Sequence, residues 1–130
     1  MSFSKQIVLF IVPDEQLRST LTDTLQQYEN PYPYKVVANK QDIQSVLENE
    51  MVCCIVMPKA VALAGEDGKE GLIATQSGLP PTITLLRHGD GYPDYLYRPN
   101  EFHDSCTIPF GLDELYDRLK RLLERASQHQ

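Results

Sequence analysis

The sequence predicts a three-layer α/β fold, a five-stranded parallel sheet between two layers of helices, formed by residues 1–130 as a single domain. Three observations carry this prediction. Apolar runs at Ile7–Val12 and Met51–Val56 read as strands buried on both faces, and Thr82–Leu86, entered from Pro80-Pro81, as a further strand. Between and after them lie stretches with apolar residues at every third or fourth position, the spacing of amphipathic helices. Capping residues and prolines fall at the junctions.

Ile7–Val12 is the first strand, and Pro13-Asp14-Glu15 opens the first helix, with Asp14 as its cap and Leu17, Leu21, Leu25 and Tyr28 on one face. Asn30-Pro31-Tyr32-Pro33 ends that helix, and Tyr34–Ala38 is a short second strand. Asn39 caps the second helix, whose stripe is Ile43, Val46 and Leu47. Met51–Val56 is the third strand, ended by Met57-Pro58. Glycines at 65, 68, 71 and 78 leave room only for a short third helix near Glu70–Gln76.

Thr82–Leu86 is the fourth strand and Ser105–Ile108 the fifth. Between them, Pro93 and Pro99 bar a regular helix, so the fourth helix is expected to be lost or irregular. The strongest helix comes last, with Leu112, Leu115, Tyr116, Leu119, Leu122, Leu123 and Ala126 on its apolar face. Right-handed crossovers leave few arrangements of such a chain, and the flavodoxin-like order 2-1-3-4-5 fits best.

Charge and composition narrow the function. The formal net charge is -6 and the isoelectric point is near 4.9, which disfavours nucleic acid and anionic membranes as partners. No apolar run is long enough to span a bilayer or serve as a signal-peptide core, so a cytoplasmic location is expected. The three cysteines, Cys53, Cys54 and Cys106, include no CxxC pair, and read as buried reduced thiols. Adjacent strand residues face opposite ways, so Cys53 and Cys54 are not expected to pair with each other.

Four short motifs sit where strands end: Ile11-Val12-Pro13-Asp14-Glu15, Met57-Pro58, Leu85-Leu86-Arg87-His88-Gly89-Asp90 and Ile108-Pro109-Phe110. In this order and spacing the chain resembles a response-regulator receiver domain of the CheY-like type. Members of that family read Val-Val-Asp-Asp-Glu, Asp-x-x-Met-Pro, Leu-Thr-Ala-x-Gly-Asp and Lys-Pro-Phe at these places. The resemblance implies a bacterial signalling module of two-component type, in which clustered carboxylates hold Mg²⁺. One aspartate takes up the phosphoryl group, and a hydroxyl and a lysine stabilise it.

Matched position by position, most of that chemistry is absent. Pro13 replaces one of the first two acids and Asp14 keeps the other. Cys54 falls at the nucleophile, Leu86 at the hydroxyl and Ile108 at the lysine. The chain therefore resembles a degenerate pseudo-receiver. Asp14 is at most a vestigial metal ligand and reads better as a helix cap. No catalytic residue, metal site or cofactor is expected, and the chain does not read as an enzyme.

Other candidates weaken on inspection. Cys54 could be a sensing thiol at the functional edge, but no cationic neighbour lowers its pKa in sequence. His88 and His103 lack the spacing of a metal pair. Gly65–Gly71 lacks the phosphate-loop pattern and reads as a turn. The segment Gly89–Asp104 carries Tyr92, Tyr95, Tyr97, Arg98 and Phe102, residue types favoured as interface anchors. Those rings could equally cover the sheet edge in place of a helix. The expected function is a non-phosphorylatable adaptor acting by protein–protein contact, with a signalling component and also with itself as a homodimer. The alternative is a regulatory domain that binds a small molecule in the crevice at the strand ends.

Overall fold

In the computed structural model of this chain, residues 6–30, 32–63, 80–97, 102–108 and 110–128 are described, with backbone alone at Lys40, Leu63, Tyr95 and Tyr97. The elements run β1 (Gln6–Ile11), α1 (Glu15–Gln27), β2 (Tyr34–Val37), α2 (Lys40–Asn49), β3 (Met51–Pro58) and α3 (Lys59–Leu63). They continue with β4 (Thr82–Leu86), α4 (Asp94–Tyr97), β5 (His103–Thr107) and α5 (Leu112–Gln128). The five strands form one sheet in the order β2-β1-β3-β4-β5, and every neighbouring pair is parallel. This is the flavodoxin-like order.

Alternation along β1 builds the two faces of the sheet. Val8, Phe10 and Val12 enter one core with Leu21 and Leu25 of α1 and Leu115, Leu119 and Leu122 of α5. Ile7, Leu9 and Ile11 enter the other, with Val46 of α2 and Ala62 of α3, and Leu96 of α4 packs against it. A strand buried on both faces has no position to spare for a polar side chain, which is why β1 reads as an unbroken apolar run.

Both long N-caps form as the sequence predicts. The Asp14 carboxylate accepts the Leu17 amide at 3.2 Å, and the Asn39 side chain accepts the Asp42 amide at 2.9 Å. The α1 end is closed by Asn30, whose amide donates to the carbonyls of Leu25 at 2.7 Å and Tyr28 at 3.0 Å. Tyr116 of α5 donates to the same Asn30, and Tyr28 donates to Asp113, so two phenols fasten α1 to α5.

Besides α3 at Lys59–Leu63, which lies ahead of the short helix expected near Glu70–Gln76, the structure departs from the sequence reading at four places. β3 does not end before Met57-Pro58 but runs through it. β5 begins and ends earlier than Ser105–Ile108, because the polar residues His103 and Asp104 belong to an edge strand and mask its pattern. A helix is present between β4 and β5, although it was expected to be lost or irregular; α4 is a single four-residue 3-10 turn just past Pro93. Such turns are short by nature and leave no apolar periodicity to read.

The fourth departure lies at the paired cysteines. In the β1–β3 ladder Ile7 pairs with Val52 and Val8 with Cys54, so Cys53 is an extra residue, a β-bulge. Simple alternation fails there, and Cys53 and Cys54 pack into the same core. All three cysteines are nonetheless free thiols. The short helix expected near Glu70–Gln76 and the turn at Gly65–Gly71 lie outside the described residues.

Candidate functional site

The carboxyl ends of the strands open into a crevice of about 580 Å³. Pro13 and Leu17 form one wall, Pro58 and Val61 another, and Leu85 and Ile108 a third. The charged groups at its lining are Asp14, Lys59, Arg87 and Asp90. The site thus has apolar walls with charges of both signs.

Backbone geometry places each of these groups. The guanidinium of Arg18 donates to the carbonyls of Val12 and Pro13, both at 3.1 Å, and fixes the turn from β1 into α1. Asp14 is exposed there and its carboxylate is engaged by the first turn of α1. After β4 the chain makes a tight turn. The Arg87 amide donates to the Asp90 carboxylate at 2.8 Å, and the Asp90 amide returns to the Arg87 carbonyl at 3.0 Å. Gly89 adopts φ 91° inside that turn, a left-handed conformation that strains any side-chain-bearing residue. Lys59, at the start of α3, donates to the Gly91 carbonyl at 3.1 Å and holds the far side of the same loop.

Of the five positions matched to receiver chemistry, Pro13, Asp14 and Ile108 line the crevice. The Ile108 amide extends the β4–β5 ladder by donating to the Leu86 carbonyl at 2.7 Å. Leu86 ends β4 with 2% exposure but does not form the wall, a role taken by its neighbour Leu85. Cys54 is elsewhere. It is fully buried in the middle of β3, opposite Val8, and its thiol donates to the Ile55 carbonyl. At about 3.3 Å per strand residue it sits roughly 13 Å inside the position of Pro58. Pro58 and Lys59 are the residues that β3 delivers to the crevice.

Burial settles the character of the thiols. Desolvation pushes Cys54 far above the ordinary thiol range and raises Cys53 in the same direction. Cys106, on β5, is pushed up to about 11 by burial and then by Glu114. A thiol held protonated is a poor nucleophile and a poor metal ligand, so these cysteines serve as packing. Among the described residues no group of three or more His, Cys, Asp or Glu is placed to hold a metal ion. His88 follows β4 at the carboxyl end of the sheet, whereas His103 begins β5 opposite Thr82 at the other end. They cannot share an ion.

The aromatic segment divides between the two roles open in sequence. Tyr92 is 62% exposed, whereas Phe102 packs against the α1/α5 core and Leu96 against the other. The backbone of Tyr95 and Tyr97 lies in α4, their side chains are outside what is described, and Arg98 lies outside the described residues. β5 is tied to α5 by Arg118, which contacts Asp104 at 3.3 Å and Glu114 at 3.4 Å, and by Arg125, which donates to the His103 carbonyl at 3.3 Å.

Sequence reasoning named Pro58 and Arg87 only as parts of motifs, without placing them in the crevice, and missed Lys59 altogether. A usable signal was present: seven consecutive apolar residues from Met51 to Met57 outlast the six of β1, so the third strand reaches further than its motif suggests.

No protein-family model and no curated protein sequence matches the chain. Solved structures do. A signal receiver domain of an HD domain-containing protein from Pseudomonas fluorescens Pf-5 superimposes with a TM-score of 0.63 at 16% identity, covering 99% of this chain and 94% of that one. SdrG from Sphingomonas melonis Fr1 gives 0.59 at 17% identity, covering 95% and 99%. The co-crystal structure of the Saccharomyces cerevisiae histidine phosphotransfer protein Ypd1 with the receiver domain of its response regulator Ssk1 gives 0.58 at 13%, covering 94% and 91%. At such identities the likeness is one of fold, and the fold is that of a response-regulator receiver domain.

Proposed function

We propose that this chain is a response-regulator-like signalling domain that is not phosphorylated on aspartate and acts through protein–protein contact. One observation carries the reading: from Met51 to Leu63, through all of β3 and α3, the chain contains no aspartate or glutamate. The central strand therefore has no carboxylate to attack a phosphoryl group, and Pro58 stands at its rim. Asp14 is left beside an apolar wall, and a hard cation such as Mg²⁺ prefers several oxygen ligands.

The contact surface is assigned to α4, β5 and the outer side of α5. Tyr92 is exposed beside that face, and the Arg118 ion pairs hold β5 and α5 in one arrangement. The Ypd1 complex, in which a receiver domain is bound to a signalling protein, supports a partner of that class. A second copy of this chain is a further candidate, and the acidic charge argues against nucleic acid or an anionic membrane. Among the described residues no helix is long and apolar enough to cross a bilayer. A cytoplasmic location and the absence of catalysis are part of the proposal.

The test is addition of Mg²⁺ with beryllofluoride, a phosphoryl mimic, to the labelled protein. The amide spectrum is expected to stay unchanged. Saturable shifts clustered at Asp14, Lys59 and Ile108 would restore an active receiver.

A further inference from the structure

We infer that the crevice at the carboxyl ends of the strands is a binding site for a small amphipathic organic anion, an apolar ring system carrying one carboxylate, sulfonate or phosphate. This goes beyond the adaptor reading and stands or falls separately from it.

The argument starts from an unspent cation. Arg18, Arg118, Arg121 and Arg125 all engage a carbonyl or a carboxylate through their guanidinium groups. Arg87 does not. Among the described residues its guanidinium has no hydrogen bond or ion pair, and only its backbone is used, in the turn with Asp90. Arg87 lines the crevice. Lys59 lines it too and uses one of its three N–H donors on the Gly91 carbonyl.

The two carboxylates at the crevice balance the formal charge of Lys59 and Arg87, but among the described residues neither contacts the Arg87 guanidinium. Asp14 accepts the Leu17 amide at the start of α1, where the helix dipole favours its charge. Asp90 accepts the Arg87 amide. Each acid already has a backbone donor, whereas the guanidinium donors of Arg87 have no acceptor among the described residues. The crevice therefore asks for a ligand that brings acceptor oxygens.

The walls specify the rest of the molecule. Leu17, Pro58, Val61 and Ile108 present apolar surface, and about 580 Å³ is ample for two fused rings. A bare inorganic anion would leave that surface wet. A ring system would bury it while its anionic group meets Arg87, where charge-assisted bonds are the strong ones.

Anilinonaphthalene sulfonate is a suitable probe, since it joins two apolar ring systems to one anion. Titrated into the labelled protein, it is expected to bind saturably, one per chain, with amide shifts at Leu17, Lys59, Arg87 and Ile108. Arg87→Gln is expected to weaken it roughly tenfold, the effect of one charge-assisted bond, and Arg87→Lys to recover part of the loss. Phenylnaphthylamine, which has the same rings without the sulfonate, should bind the wild type roughly tenfold more weakly and should not distinguish Arg87→Gln. Equal affinity of Arg87→Gln and wild type for the sulfonate would overturn the proposal, as would shifts scattered over the helices. Inorganic phosphate that displaces the probe at comparable concentration would also overturn it, because the apolar walls would then play no part.

Discussion

Lys59 donates from its ammonium to the backbone carbonyl of Gly91 across 3.1 Å, joining the first residue of α3 to the loop that follows β4. The loop is held from its other end by the Arg87–Asp90 turn. Both anchors are internal to the chain, so the loop is set without any bound group.

Lys59→Met should free that loop and leave the core intact. The lost bond is worth about 0.5–1.5 kcal/mol, a melting-temperature drop of a few degrees for a chain of this size. Amide hydrogen exchange at Gly91, Tyr92 and Asp94 should speed up, while Phe10 and Ile55 stay protected. Unchanged exchange in the loop would show that Lys59 does not hold it.

Aspartate placed on β3 distinguishes counting along the motif from counting along the strand. Cys54→Asp buries a carboxylate where Cys54 has 0% exposure, and should abolish cooperative folding. Pro58→Asp adds the same group at the crevice and should fold, with a cooperative thermal transition by circular dichroism. If Cys54→Asp folds as well as Pro58→Asp, the β3 register described above is wrong.

Asp14→Ala removes the α1 cap and should lower stability by about 0.5–2 kcal/mol, read from urea unfolding. Mg²⁺ should stabilise neither wild type nor variant. A Mg²⁺-dependent rise in the wild-type midpoint that is missing from Asp14→Ala would mark Asp14 as a working metal ligand instead.

Alkali should destabilise the fold before it reaches the ordinary limits of such proteins. Burial raises Cys106 to about 11 and Tyr116 to about 12, and raises Cys54 further. A raised folded-state pKa on an acid means that the unfolded chain releases its proton first. The stability is intact below the thiol's unfolded pKa near 9.0 and is lost as pH climbs through the folded values. The urea midpoint should fall steadily above pH ~9. In Cys106→Val the early part of that fall should shrink.

The strands and the last helix are legible in the sequence because burial on both faces fills β1 with apolar residues from Ile7 on and β4 with β-branched and apolar ones. The single buried stripe of α5 likewise spaces Leu112, Leu115, Leu119 and Leu122 at helical intervals. Legibility fails where that physics relaxes. His103 and Asp104 start an edge strand with one side unpaired, so polar residues are tolerated and the pattern fades. The Cys53 bulge breaks the two-residue period that placed neighbouring cysteines on opposite faces. A proline looks like a strand terminator, yet Pro58 is the last residue of β3, where it forfeits at most one ladder bond. Counting back from it put Cys54 at the rim. The crevice cations escaped notice for a different reason: Lys59 belongs to no motif, Arg87 sits in one at a position with no assigned role, and the two converge only through the register of β3 and β4.

The acid-free stretch from Met51 to Leu63 has a consequence for control. Under the proposed reading, a receiver-fold domain that works by contact has no aspartyl phosphate to serve as its switch. Its output then scales with copy number and with competition among binders for one face. Titrating its abundance in the cell is the dial that such a design leaves.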